Sequence, residues 1–156
     1  MDQQSYSMSP VATVRTPFMT TSEIPHGLGA RHDAVGRIEV RHELEAGLTD
    51  IDGFSHLYII WVFDRSPGAE LVGTPPCDNR PHGVFASRSP RRPNPIGLTV
   101  VRLERREGTV LHVRGVDMLD GTPILDIKPY LSNVPADELR RGWLGAAEGR
   151  SEDRPA

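Results

Sequence analysis

Cysteine, lysine and helix-forming runs are all scarce in this chain. One cysteine, Cys77, among 156 residues excludes an internal disulfide and any cysteine-rich metal site. The histidines show no ligand spacing: His26 and His32 are followed only by the scattered His42, His56, His82 and His112. No metal is therefore expected. A Walker loop and a Gly-x-Ser-x-Gly elbow are both missing. Gly27-Leu28-Gly29 opens like a dinucleotide loop, but His32 stands where the third glycine belongs, so Rossmann-type binding is not expected. No apolar run approaches the ~20 residues that span a bilayer, which argues against a membrane partner. Met1 to Pro10 lacks the basic start and apolar centre of a secretion signal, so a cytoplasmic location is expected. Lys128 is the sole lysine; arginine carries the rest of the positive charge. With a net charge of −3, a nucleic-acid partner would need a local basic patch.

What is present reads as strands. Val11–Arg15 and Gly36–Arg41 are short candidates, the second alternating apolar and charged residues. Ser55–Phe63 is nearly continuous in β-branched and aromatic residues and predicts a central strand buried on both faces. Val84–Ser87 predicts another. Leu98–Arg106 and Thr109–Val116 predict a hairpin turning at Glu107-Gly108, and Asp120-Gly121 a tight turn leading into Pro123–Tyr130. A helix is expected only at Pro135–Leu144, capped by Ser132 or Asn133, with Glu148–Ala156 frayed beyond it. Many short strands with Pro/Gly turns predict a mainly β fold, a small closed or nearly closed β-barrel with few short helices. The expected division is a flexible 1–8, a barrel over 9–134, and a short helix with a frayed tail over 135–156.

The most informative stretch is Gly83–Leu98. Prolines 90, 93 and 95 fix φ and remove backbone donors, and each restricts the residue before it. Arg88, Arg91 and Arg92 ride on this stiff frame, and no acidic residue lies between Asn79 and Leu103. A rigid cationic loop between two apolar strands suits an anionic or carboxylate-bearing ligand. The competing reading is a solvated turn whose arginines neutralise carboxylates elsewhere.

Asp117, Asp120 and Asp126 form the carboxylate cluster of the sequence. Asp120-Gly121 reads as a turn, and Asp117 as bonded to its own backbone. Asp126 lies among Pro123, Ile124, Leu125 and Ile127, where a carboxylate needs a partner or a ligand. Lys128, the loop arginines and ligand hydroxyl or amine groups all qualify.

Four segments resemble the TrmO/TsaA-like family: Phe54-Ser55-His56-Leu57, Gly83–Ser89, Arg92–Leu98 and Asp117–Leu131. The resemblance extends over most of residues 9 to 132. It implies a β-barrel enzyme, usually a homodimer, that binds S-adenosylmethionine and methylates the exocyclic amine of threonylcarbamoyl-adenosine beside a tRNA anticodon. It also implies cofactor contacts at Pro25-His26-Gly27 and at Phe63-Asp64. His26 and Gly27 replace the family's usual arginine and glutamine, and Asp64 stands where histidine is common. Arg88 is expected to meet a carboxylate or a phosphate. Gly97-Leu98 and Thr122-Pro123 are expected to read the adenine edge, and Asp126 to take polar hydrogens. Arg91, Arg92, Asn94, Lys128 and Tyr130 are expected on the acceptor side, and no catalytic residue is assigned. Two alternatives stay open at this point: a small-molecule acceptor in the same pocket, and an adenosyl-binding module without chemistry.

Overall fold

Alternating inward and outward side chains build the core. The computed structural model describes residues 3–25 and 32–152. Its strands are β1 (Ala12–Arg15), β2 (Val35–Val40), β3 (His56–Val62), β4 (Val72–Gly73), β5 (His82–Gly83), β6 (Ile96–Glu107), β7 (Val110–Arg114) and β8 (Pro123–Pro129), followed by one helix, α1 (Trp143–Glu152). Six of them close an antiparallel barrel in the order β1, β2, β7, β6, β3, β8. The short β4 and β5 pair separately within the long connection between β3 and β6. A closed barrel, as expected, leaves no free sheet edge.

The interior is apolar. Val14, Ile38, Leu57, Ile59, Leu111, Val113, Val116 and Ile124 are fully buried, and each such side chain contributes about 1.5–3 kcal/mol of transfer free energy. β3 was expected to be covered on both faces, but only one face is enclosed. Leu57, Ile59 and Trp61 point inward, while Tyr58, Ile60 and Val62 stand half-buried on the outer wall. β6 repeats the pattern, with Gly97, Thr99, Val101 and Leu103 inside. Its outward Ile96, Leu98 and Val100 are 44%, 46% and 41% exposed. Register places Val62 opposite Ile96, Ile60 opposite Leu98 and Tyr58 opposite Val100. The outer wall therefore carries a continuous apolar stripe.

Three local expectations need correction. Val84–Ala86 is a 3-10 turn, not a strand; with Pro90, Pro93 and Pro95 following, this segment has no neighbouring strand to pair with beyond His82-Gly83. The hairpin between β6 and β7 turns on Gly108-Thr109, since Glu107 still pairs with Val110, and Gly108 supplies the positive φ of 59°. The expected helix at Pro135–Leu144 forms only a 3-10 turn at Ala136–Glu138, and α1 begins at Trp143 and takes in part of the stretch expected to fray. Gly142, at φ 54°, resets the chain direction just before it.

Trp61 fixes the position of β6. Its indole lies over Gly97, where an added Cβ would come within 2.2 Å of a ring carbon. The ring also packs at a tilt against Phe63, with centroids 4.2 Å apart, which limits its room to yield. Gly97→Ala is expected to destabilise the barrel by about 1–3 kcal/mol through overpacking, measured by urea unfolding against wild type.

Candidate functional site

One end of the barrel gathers the polar groups. β1, β3 and β7 finish there, and β2, β6 and β8 start there. The connection from β1 to β2, carrying the half-buried Pro25, therefore leaves and re-enters at this mouth. His26 and Gly27 lie outside the described residues.

Two polar clusters form the mouth. In the first, Phe63 donates its N–H to the Pro95 carbonyl at 2.8 Å, anchoring the end of β3 to the proline-braced loop. The Arg65 guanidinium donates to the Asp120 carbonyl at 3.0 Å and to the Thr122 hydroxyl at 3.2 Å. It also lies 3.4 Å from the Asp64 carboxylate. Asp120-Gly121 makes the expected turn: Thr122 N–H donates to the Leu119 carbonyl at 3.2 Å, with Gly121 at φ 82°. The Asp120 carboxylate accepts the Thr16 N–H at 3.1 Å. Arg65 thus joins Phe63-Asp64 to Thr122-Pro123, two pairs named from the sequence.

The second cluster is deeper. Trp61 Nε1 donates to the Thr99 hydroxyl at 3.0 Å, and that hydroxyl donates to Asp117 Oδ1 at 2.5 Å. The chain reaches this point because residues beyond β7 continue alongside β6. Gly115, at φ 93°, and Val116 both donate N–H to the Ala34 carbonyl, which leaves Asp117 beside Thr99. Burial pushes the Asp117 carboxyl above its ordinary value; the Thr99 hydrogen bond, His32, the hydrogen bond from its own backbone N–H (the local bond expected from the sequence) and Arg88 act against that rise. His32 and Arg88 therefore face Asp117 through space, with no ion pair within 4 Å of it among the described residues.

The three loop arginines divide their work. Arg91 pairs with Glu70 at 2.6 Å and also donates to the Gly68 carbonyl. Arg92 donates to the carbonyls of Ser87 and Ser89 at 2.9 and 3.1 Å, bracing its own loop. Among the described residues, Arg88 is the one of the three without a hydrogen bond or ion pair. Asn94 is exposed and uses its carbonyl to accept the Ile96 N–H at 2.7 Å.

Asp126 does not join Arg88. Ile60 opposes Asp126 while Trp61 opposes Ile124, so a bulge at Leu125 breaks the alternation. Ile124 points in, and the extra residue turns Asp126 onto the outer wall. There Lys128 neutralises it at 2.9 Å, which is the internal ion pair among the two sequence readings. Tyr130 packs near Tyr58 with rings 5.1 Å apart, beyond the end of β8. Gly97 faces inward, whereas Leu98 stands on the outer wall. Of the residues in the deeper cluster, only Asp117 attracted attention in the sequence, and then as a local turn former. Thr99 and Trp61 carried a readable signal in their shared inward parity; Arg65 and His32 carried none.

The C-terminal segment shapes a second feature. Trp143 Nε1 donates to the Ala86 carbonyl at 2.8 Å, and the indole stacks on His82 at 4.0 Å. His82 and Arg150 both hold Asp78 at 2.6 Å. Between this segment and the loop lies an open cavity of about 450 Å³ lined by Phe85, Ser87, Arg88, Arg141, Trp143 and Leu144. Phe85 is 82% exposed. Arg88 thus borders both the mouth and this cavity.

The architecture defines a small closed β-barrel with one polar mouth and a cationic loop beside it. The chain belongs to the tRNA-methyltransferase O N-terminal domain family, which matches residues 13–136. It is 45% identical over 136 residues to a probable S-adenosyl-L-methionine-binding protein of Pyrococcus abyssi, covering 86% of this chain and 74% of that protein. It is 45% identical over 97 residues to a tRNA (adenine(37)-N6)-methyltransferase of Mus musculus, covering 60% of this chain and 22% of that one. Among solved structures, TrmO from Pseudomonas aeruginosa superposes with a TM-score of 0.74 at 34% identity, covering 90% of this chain and 63% of that chain. The chain therefore spans less than two thirds of that TrmO chain. No helix among the described residues is long and apolar enough to cross a membrane.

Docking of α1 is expected to depend on pH. Hydrogen bonding from His82, then from the Asn79 N–H and Arg150, lowers the Asp78 carboxyl from its ordinary 3.8 to about 2. A folded-state value below the unfolded one stabilises docking above the ordinary aspartate range and is lost as pH falls toward 2. Acid titration followed by Trp143 fluorescence is expected to show α1 releasing in that window, and Asp78→Asn to abolish this acid-dependent step.

Proposed function

We propose that this chain is an S-adenosylmethionine-dependent methyltransferase that acts on the exocyclic amine of threonylcarbamoyl-adenosine beside the anticodon of tRNA. The observation that carries this reading is the loop of Arg88, an arginine without a partner among the described residues: Pro95 of that loop accepts the Phe63 N–H at the end of β3, and Arg65 ties that end to the turn before β8. The names of the Pyrococcus and mouse relatives support it, and a tRNA substrate would place the protein in the cytoplasm.

The residues present suit the methyl donor. Its carboxylate calls for a cation, and Arg88 has no partner among the described residues. Its ribose hydroxyls call for acceptors, and the Asp64 carboxylate is exposed at the end of β3. Its adenine calls for backbone polar groups and an apolar wall, which Phe63 and Thr122-Pro123 offer, since the Trp61 indole already covers Gly97. When bound, it supplies an electrophilic methyl group. The protein holds the acceptor amine in line with that methyl and keeps water away.

On the acceptor side, Phe85 and the arginines of the loop offer a stacking surface and positive charge for an unpaired nucleotide. Arg91 and Arg92 contribute by stiffening that loop. Asp126 and Lys128 stay with each other on the outer wall.

The protein works as a homodimer in this reading. The apolar stripe of Tyr58, Ile60, Val62, Ile96, Leu98 and Val100 is the face that a second copy covers. Asp126, Lys128 and Tyr130 border it and supply a polar rim.

Calorimetry with S-adenosylhomocysteine tests the donor site. Arg88→Ala is expected to weaken binding by ~1.5–3 kcal/mol, the range for a hydrogen bond to a charged group; an unchanged titration would remove Arg88 from the site. Incubation with S-adenosylmethionine and threonine tRNA carrying the threonylcarbamoyl mark is expected to give a nucleoside one methyl group heavier, read by mass spectrometry. An unchanged nucleoside profile would reject the reaction. For the assembly, sedimentation velocity is expected to report a dimer for wild type and a monomer for Leu98→Glu.

A further inference from the structure

We propose that Asp117 is the catalytic base that takes the proton from the acceptor amine during methyl transfer. The inference rests on the methyltransferase reading above and assigns a role which that reading leaves vacant.

The chemistry requires such a group. The lone pair of an exocyclic amine on a carbamoylated adenine is delocalised into the ring and the carbonyl, so the nitrogen is a weak nucleophile while it keeps its proton. As the new nitrogen–carbon bond forms, the carbon–sulfur bond breaks and its electron pair returns to sulfur. The nitrogen would be left cationic unless its proton departs. The Asp117 carboxylate accepts that proton, becoming a neutral carboxylic acid, and later releases it to solvent. Charge and atoms balance with no further reactant.

The geometry favours Asp117 over the other carboxylates of the mouth. Asp64 lies against Arg65. Asp120 accepts the Thr16 N–H and has Arg15 at 3.9 Å. Both therefore have a guanidinium within ion-pair distance. Asp117 is oriented instead by a neutral relay, in which Trp61 donates to Thr99 and Thr99 donates to Asp117 Oδ1. A base needs this arrangement: one oxygen fixed by a third group and a side chain set in place before substrate arrives. The titratable and charged groups facing it are His32, ahead of β2, and Arg88, in the loop before β6. Both are on the mouth side, where the acceptor must enter. Burial raises the carboxyl toward the working pH, which strengthens it as a base.

Two measurements decide the matter. The first needs no reaction. Because the Trp61 indole N–H is linked to Asp117 through one hydroxyl, its ¹H–¹⁵N resonance in the ligand-free protein is expected to titrate with a midpoint above the ordinary aspartate value. Thr99→Val removes the hydrogen bond that holds the value down and should move the midpoint of Asp117 itself upward, read from its ¹³C carboxyl resonance. Asp117→Asn should leave the Trp61 resonance flat over the same range. The second is single-turnover methylation of the marked tRNA against pH. Wild type is expected to lose activity as pH falls through the same midpoint. Asp117→Asn is expected to fall ~10²–10⁴-fold, the range for general-base catalysis, while retaining S-adenosylhomocysteine affinity. Methylation by Asp117→Asn at the wild-type rate, or a Trp61 resonance that does not titrate in wild type, would overturn the role while leaving the function standing. A wild-type protein that binds S-adenosylhomocysteine and never methylates the tRNA would remove function and role together.

Discussion

The contact between Trp61 and Gly97 sets the position of nearly everything else at the mouth. A glycine on β6 lets an indole lie flat across the strand that pairs with its own. That placement aims the indole N–H at Thr99, two residues along the same inward face, and Thr99 in turn holds Asp117. A buried hydroxyl with both a donor and an acceptor satisfied orients a side chain more strictly than apolar packing alone. One packing constraint thus extends from barrel closure to the orientation of a half-buried carboxylate.

The cationic loop reaches its position by the same economy of parts. Proline removes donors and fixes φ, so Gly83–Leu98 has few backbone hydrogen bonds with which to hold its shape. Side chains replace them. Arg92 closes the loop on its own carbonyls, Arg91 ties it to Glu70 and Gly68, and the Ser66 hydroxyl donates to the Pro90 carbonyl at 3.0 Å. With that framework complete, Arg88 needs no structural partner. Its charge acts on Asp117 from one side and on the cavity beneath α1 from the other.

Much of this was legible in the sequence. Apolar runs and alternation placed β1, β2, β3 and β6 to within a residue or two, and the Pro/Gly punctuation pointed to a closed or nearly closed barrel. The loop declared itself through its prolines and its lack of acids. The resemblance led to Phe63-Asp64 and Thr122-Pro123, which Arg65 brings together. Other features were not legible because they depend on partners distant in the chain. Val84–Ala86 has the composition of a strand but no strand to pair with. Trp143 looked like the end of a helix, yet it begins one, because its anchors are His82 and the Ala86 carbonyl, well over fifty residues earlier. Thr99 is an ordinary strand threonine until Trp61 and Asp117 are set on either side of it.

Asp126 and Asp117 show why parity along a strand is not enough to locate a functional carboxylate. Counting by two from the buried Ile124 puts Asp126 inside the barrel, in an apolar strand where only a ligand or an ion pair would tolerate it. The bulge at Leu125 reverses that parity, and the extra residue delivers the carboxylate to Lys128 on the outer wall. Asp117 lies just past the end of β7, where no ladder dictates its direction, and Gly115 turns the chain so that the side chain meets β6 from above. A carboxylate inside the closed part of the barrel would have to neutralise itself or be neutralised. One at the mouth can remain half-buried, face His32 and Arg88 at a distance and still meet a molecule entering from solvent. Strand walls in a small barrel are occupied by packing; groups free to do chemistry are those carried by the residues just beyond the strands.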